Sequence, residues 1–421
     1  MNEIGIGILG FGTVGAGVAE GLLRNGEVMA NRLGARPVLR KIADLDITTD
    51  RGIVVDADVL TTDAEGVIND PAIDIVVELI GGTGVALKFV KMALANGKAV
   101  VTANKKLLAE YGSELYALAT ANNADLYFGA SVGGGIPIIR ALREGLCANR
   151  VESISGILNG TCNYILTRME KEGLDFDVVL KDAQELGFAE ADPSLDIDGF
   201  DTAHKAVILS SLACGHPIAL DEVSVEGIRG ISKTDIDCAL ELGYRLKLLA
   251  LIQRDGDQVE VRVGPTLVPL DDMLASVSGV FNAVKVNSDL ADATLYYGRG
   301  AGRLPTASTV LGDVCDVVRN LTQGAPHRME PIPATGESVS VMPVEQTVSC
   351  NYLRFEVSGD AAEVVEILSK HGIVIDGEAK LTDAGMIVIT QSVAEAAVIK
   401  ALREVSELGI VSQVVRLRIM A

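Results

Sequence analysis

An apolar run, Ile4–Leu9, leads directly into Gly10-Phe11-Gly12-Thr13-Val14-Gly15, and those glycines open a helical stretch. Glycines at this spacing permit a tight turn and close backbone approach, so a pyrophosphate can sit on the free N–H groups at the helix start. Glycine-rich turns are common, and the motif by itself is weak. Its place between a strand and a helix is the context that dinucleotide binding requires, and that reading is preferred over a merely structural turn. The next strand ends Leu39-Arg40-Lys41-Ile42-Ala43-Asp44. An acid at Asp44 would accept from ribose hydroxyls and repel a 2′-phosphate, which favours NAD; Arg40 and Lys41 could instead attract that phosphate, which leaves NADP open.

Residues 1–130 continue the alternation. Strands are expected at Val38–Ala43, Ile73–Ile80 and Ala99–Thr102, and helices at Thr13–Arg24, stopped by Asn25-Gly26, and Val85–Asn96, stopped by Gly97. Strands apolar on both faces and separated by helices specify a parallel sheet covered on both sides, a Rossmann-type α/β domain.

The remainder reads as three further parts. A glycine turn at Val132–Pro137, strands near 154–158, 247–252 and 258–263, and helices near 163–172, 175–186 and 200–214 make an α+β domain with an open sheet over 131–305. A second glycine loop, Gly298–Arg303, leads into a helix at about 306–320 that returns to the first domain. Residues 321–345, with Pro326, Pro331, Pro333 and Pro343, read as a linker. The tail, 346–421, has the order βαββαβ (strands 348–357, 373–379, 386–391 and 410–418; helices 361–371 and 393–406), a ferredoxin-like module.

Length and composition agree with this division. A chain of 421 residues exceeds one ordinary core. Apolar residues make up 48% and aromatics only 4%, which implies aliphatic cores. No run approaches the roughly 18 apolar residues of a membrane helix. The N-terminus lacks the basic head of a signal peptide, so a cytoplasmic protein is expected. A formal charge of −21 argues against nucleic acid and anionic membrane as partners. The six cysteines have no metal-type spacing and read as reduced packing thiols.

On the helix Gly199–Cys214 apolar residues lie all round the circumference, so the helix should be buried on every side. Asp201 and Lys205 nevertheless share one stripe with Ile208 and Leu212. A buried carboxylate and ammonium are costly unless paired or used. The bland alternative is a surface salt bridge at the helix start. Glu190, Asp192, Asp196 and Asp198 immediately upstream tip the balance, because acids gathered before a buried lysine can bind the ammonium of an amino acid. A divalent-metal loop is the rival, weakened by the lack of an accompanying His or EF-hand spacing. Lys105, after the strand Ala99–Thr102, stands at the carboxyl edge where such sheets place ligands, whereas Lys106 is expected to face solvent. His204 is expected on the helix surface.

In chain order the segments GILGFGTVG, ELIGG, VTANK, SVGGGIPII, ILNGTCNYIL, FAEADPSLDIDGFDTAHKAVIL and GRGAGRLPTASTVLGD resemble homoserine dehydrogenases, and the resemblance spans essentially the whole chain. It implies NAD(P)-dependent interconversion of L-homoserine and L-aspartate 4-semialdehyde in threonine, methionine and isoleucine biosynthesis. It implies that Lys205 moves the proton with help from Lys105, and that Glu190, Asp196 and Asp201 bind the amino-acid portion and hold the lysine. Gly160 and Thr161 would line the same pocket, and Gly302 would approach the cofactor. The tail would be an ACT module with an effector such as threonine, and a homodimer or homotetramer would be the assembly. Two positions depart from the family pattern. Gly129 stands where a glutamate usually helps hold a structural sodium beside the carbonyls of Val132, Gly134 and Ile136. Ser358–Ala362 is shorter than the usual D-x-P-G effector turn.

Two other readings make different demands. Aspartate-semialdehyde dehydrogenase chemistry needs a nucleophilic cysteine, for which Cys162 is the one candidate. A non-catalytic sensor would use the nucleotide fold and the tail without needing Lys205.

Overall fold

A computed structural model describes residues 2–382 and 385–420. Its first sheet contains β1 (Asn2–Leu9), β2 (Ala35–Ala43), β3 (Leu60–Thr61), β4 (Ile75–Glu78), β5 (Ala99–Thr102) and β6 (Leu126–Tyr127). All pairings are parallel and the order is β3-β2-β1-β4-β5-β6. The order reverses between β1 and β4, and in an open α/β sheet the ligand crevice lies at that switch point, outside the carboxyl ends of the strands. Ile6, Ile8, Ile75, Val77 and Val101 are buried to the limit, which is why these short strands read as continuous apolar runs.

The helices α1 (Thr13–Leu33), α2 (Ala64–Asn69), α3 (Gly84–Ala95) and α4 (Lys105–Ala121) connect the strands. Helix α1 does not stop at Asn25-Gly26. It runs on to Leu33 and ends at Gly34, whose φ of 69° gives the left-handed cap and whose N–H donates to Ala30. Burial of Met29 and Ala30 carries it onward and outweighs the roughly 1 kcal/mol that an interior glycine costs. The return helix spans Arg303–Thr322 and packs on α1 through glycine. A Cβ on Gly17 would lie 2.6 Å from the Arg303 carbonyl oxygen, and one on Gly21 2.3 Å from Leu311 Cδ1. Val310, Val314 and Val317 then join the core of the parallel sheet.

The two glycine-rich turns lie backbone on backbone. Gly135 N–H donates to the Arg299 carbonyl at 3.0 Å, and a Cβ on Gly134 would fall 2.4 Å from the Gly300 oxygen. Two paired strands, Phe281–Ser288 and Asp292–Arg299, precede the second turn and were not anticipated from the sequence.

Contacts divide the chain into two units. The first holds residues up to Glu152 with Val207–Leu220 and Asn282–Ser338; the second holds Ser153–Ala206, Asp221–Phe281 and the chain from Val339. In the second, the strand Val151–Ile157 pairs antiparallel through Ser153–Gly156 with Tyr244–Asp255, which forms a hairpin with Gln258–Pro269, each of these two strands twelve residues long. Gln258–Pro269 in turn runs parallel to Val411–Ile419 at Thr266↔Arg418 and Leu267↔Ile419.

The tail has the strand order Val411–Ile419, Val348–Val357, Gly385–Ile389, Lys380–Thr382, with helices Ala361–Lys370 and Glu395–Ser406. That is the ferredoxin-like arrangement, and Leu353, Phe355, Leu368, Val388, Val398 and Val405 form its core. Its second strand begins later than expected. Residues 373–379 contribute one bridge, Ile375 to Thr390, because the left-handed Gly377 (φ 84°) breaks the extended run before Lys380. Among the described residues no helix is long and apolar enough to cross a membrane.

Candidate active site

The nucleotide loop carries out three separate tasks with its three glycines. Gly10 takes φ 102°, and a Cβ there would strike the Leu79 carbonyl at 2.7 Å. A Cβ on Gly15 would fall 2.0 Å from the Gly10 oxygen, so helix and loop close on each other only without a side chain. Gly12 has nothing within 4 Å of its Cβ direction, which leaves its side open for a bound group. Thr13 and Val14 begin α1, whose N-cap is Gly12 with no side-chain cap. The open, uncapped helix start fits a pyrophosphate.

Asp44 follows β2, and its carboxylate accepts from the N–H groups of Phe11 and Asp46. It is therefore held against the loop. Arg40 is placed otherwise: its guanidinium pairs with Glu3 at 2.7 Å, toward the amino end of β1 and away from the glycines.

Lys105 is the first residue of α4, whose cap is Asn104. Asn104 accepts from Leu107 N–H at 3.1 Å and donates to the Gly82 carbonyl at 2.7 Å. The wholly buried Glu78 takes N–H bonds from Ile80 and Gly81 and a 2.7 Å bond from the Thr102 hydroxyl. This network anchors the turn after β4 and the start of α4, and so positions Lys105. Lys106 faces solvent and pairs with Glu110. Glu78, Thr102 and Asn104 lie in ELIGG and VTANK, the segments that carried the resemblance, yet no role for them was readable there.

In the second unit the lysine and its acids converge. Lys205 Nζ donates to Asp201 Oδ2 and to the Leu158 carbonyl, each at 2.6 Å. Its side chain is only 11% exposed, so this is no surface salt bridge. Asn159 Nδ2 donates to Asp196 Oδ1 at 2.7 Å and to Asp201 Oδ2 at 2.8 Å. Its Oδ1 accepts from Cys162 N–H at 2.7 Å and caps the helix Gly160–Glu172. Burial, with the neighbouring Asp201 adding, pushes the Asp196 carboxyl above the ordinary range, while Asn159 and Lys205 pull it back.

Gly160 begins that helix, and Thr161 donates to the Phe188 carbonyl at 2.7 Å. Glu190 is exposed, and its backbone carbonyl accepts from the Gln184 side chain. Asp198 pairs with Arg229, and Asp192 is exposed with Ser194 holding its carboxyl low. His204 is buried rather than on the surface, because the helix Phe200–Cys214 has no solvent face at that stripe.

A homoserine dehydrogenase family model matches residues 137–315, and a model described as the homoserine dehydrogenase NAD-binding domain matches residues 10–129. The homoserine dehydrogenase of Neisseria gonorrhoeae is 42% identical, with 98% of this chain and 97% of that protein covered. The chain belongs to the homoserine dehydrogenase family. A crystal structure of a homoserine dehydrogenase from Thiobacillus denitrificans superposes with a TM-score of 0.93 at 42% identity, covering 100% of this chain and 99% of that one. A hyperthermophilic archaeal homoserine dehydrogenase in complex with NADPH aligns at a TM-score of 0.63 and 30% identity, over 74% of this chain and 96% of its own. The chain is thus an NAD(P)-dependent oxidoreductase of amino-acid biosynthesis with homoserine dehydrogenase activity.

Cys162 is fully buried, and burial with Asp196 beside it drives its thiol well above the usual range. Its Sγ donates to the Asp196 carbonyl at 3.3 Å. A thiol held protonated is no thioester-forming nucleophile, which removes the footing of the semialdehyde dehydrogenase reading for a homoserine dehydrogenase fold.

The family's sodium fits this chain poorly. Gly129 has no side chain, its N–H donates to Asp313 at 2.7 Å, and a Cβ there would lie 2.7 Å from Asp313 Oδ1. Of the three carbonyls expected as ligands, that of Ile136 accepts from Ile138 N–H at 2.8 Å. Among the described residues no group of three or more His, Cys, Asp or Glu side chains is placed to hold a metal. The glycine turn is built from backbone packing.

Proposed function

We propose that Lys205 is the general acid/base in oxidation of L-homoserine to L-aspartate 4-semialdehyde and its reversal. The observation that carries this is a buried ammonium fixed by two 2.6 Å bonds inside a cluster of acids. The nicotinamide, when bound, supplies or accepts the hydride. Toward homoserine, Lys205 delivers a proton to the aldehyde oxygen; in oxidation it takes that proton from the hydroxyl. Asp201 and the Leu158 carbonyl hold Nζ in one orientation and leave a third N–H bond for the substrate oxygen. Asp196 receives the substrate ammonium, with Glu190 joining from its exposed segment, and Gly160 and Thr161 line the same pocket. Lys105 assists on the strength of the family likeness, and Gly302, with φ 128° before its helix, approaches the cofactor. Biosynthesis of threonine, methionine and isoleucine runs toward homoserine.

NAD is the proposed cofactor of preference, supported by Asp44 at the end of β2 and by the diversion of Arg40 to Glu3. The archaeal relative's complex with NADPH makes NADP the alternative to measure. The tail serves as an ACT-type module. Its first turn, in which Asp360 caps the helix Ala361–Lys370, holds no proline or further glycine for an effector, so threonine inhibition is expected to be weak. Self-association into a dimer or tetramer through the open sheets is testable by light scattering.

Initial rates with L-homoserine against NAD and NADP separately, with and without threonine, test substrate, cofactor and regulation together. Homoserine-dependent reduction without a phosphate requirement supports the assignment. Phosphate-dependent oxidation of the semialdehyde, with no activity on homoserine, overturns it.

A further inference from the structure

We infer that Asn159 is a positioning residue of the active site, whose carboxamide bridges Asp196 and Asp201 and sets the distance and orientation of the two acids around Lys205. This rests on the roles given above to Lys205, Asp201 and Asp196.

Every hydrogen-bonding atom of the Asn159 amide group is engaged. Its two Nδ2 protons go to Asp196 Oδ1 at 2.7 Å and Asp201 Oδ2 at 2.8 Å, and Oδ1 accepts from Cys162 N–H at 2.7 Å. The residue is 4% exposed. Because acceptors lie on one side and an N–H on the other, the amide has only one orientation that satisfies all three. Asp201 Oδ2 also accepts a hydrogen bond from Lys205 Nζ, so the amide and the ammonium converge on the same oxygen.

The choice of residue follows from charge. Two carboxylates in a low-dielectric cluster repel, and one of them tends to take up a proton. A lysine or arginine between them would keep both ionised but would cancel the negative charge that an amino-acid ammonium needs. A neutral double donor orients both acids and leaves that charge in place. The groups facing Asp196 are Asp201 and Lys205 from the helix Phe200–Cys214 and Cys162 and Thr161 from the helix Gly160–Glu172; Asp198, on its own segment, pairs with Arg229. Burial and Asp201 raise the Asp196 carboxyl, and Asn159 is among the groups that lower it.

Asn159 also caps a helix, but with its other atom, so the two tasks can be separated. Asn159→Ser keeps a competent cap and loses both Nδ2 donors; Asn159→Asp likewise keeps the cap acceptor and places a third carboxylate in the cluster. The experiment is steady-state kinetics of both full-length variants from pH 5.5 to 9, with thermal melts alongside. In Asn159→Ser the melting temperature stays near wild type and the homoserine KM rises about 10- to 100-fold, the range for hydrogen bonds to charged groups. The KM for the nicotinamide cofactor stays within about twofold, and the acid limb of kcat/KM for homoserine moves to higher pH. Asn159→Asp loses more. Adding Asp196→Asn to Asn159→Ser abolishes the shift of the acid limb. A folded Asn159→Ser enzyme with wild-type homoserine KM and acid limb overturns the inference, as does an equal rise in both KM values or failure of both variants to fold. If the wild-type enzyme does not oxidise homoserine at all, it is the functional assignment that fails.

Discussion

Asp201 and Lys205 share a helix stripe with Ile208 and Leu212, and that placement alone made either charge costly to leave unpaired. The two are therefore legible as a pair in the sequence alone. Asn159 carries no comparable signal in the sequence, and its capping of the helix Gly160–Glu172 belongs to the folded chain. Its bridging partners lie 37 and 42 positions away, a relation that only the folded chain supplies. His204 departs from its expected surface placement for the converse reason: a polar residue in a strongly apolar helix invites that placement, whereas the folded chain buries it. At the nucleotide loop the acid at the end of β2 was readable, and the diversion of Arg40 to Glu3 was not. Asp44→Ala should raise NADP use relative to NAD about tenfold, the scale of one hydrogen bond to a charged group, as measured by the ratio of kcat/KM values. An unchanged ratio would move cofactor choice to another residue.

Helix α1 shows where local signals lose to packing. Asn25-Gly26 is an ordinary stop, yet two further turns form because Met29 and Ala30 find a core. Gly17 and Gly21, one helical turn apart, let the return helix approach, and that approach makes residues 303–322 part of the first unit. Gly21→Val should cost about 1–3 kcal/mol and lower the melting temperature by several degrees, because Leu311 Cδ1 occupies the space a side chain would take. A melt unchanged by this substitution would show that the two helices do not pack so closely. In the tail, periodicity located both helices, while the late start of the strand Lys380–Thr382 depended on the backbone at Gly377.

For the molecule as a whole, the alternation of doubly apolar strands with helices was enough to specify a parallel sheet with its ligand edge at Gly10. The hairpin Phe281–Arg299 is not legible in the sequence because its second strand is half exposed and carries a mixed pattern. Burial chemistry was equally hidden. Asp313, enclosed completely and accepting from Gly129 N–H, has its carboxyl pushed up to about 7 by burial. An acid raised in the folded state binds its proton more tightly there than in the unfolded chain. Its contribution to stability is thus full below about pH 4 and is lost as pH rises through about 7, a change of about 4 kcal/mol. Relative to Asp313→Asn, the wild-type protein should lose stability to urea between pH 5 and pH 8; a constant difference would show that Asp313 stays ionised throughout.

The central claim is that Lys205 moves the proton. Lys205→Met should lower kcat for homoserine oxidation about 10²- to 10⁴-fold while the dissociation constant of the nicotinamide cofactor, read by fluorescence titration, stays within about twofold. A folded Lys205→Met enzyme with near wild-type turnover would contradict the account and leave Lys205 a purely structural partner of Asp201.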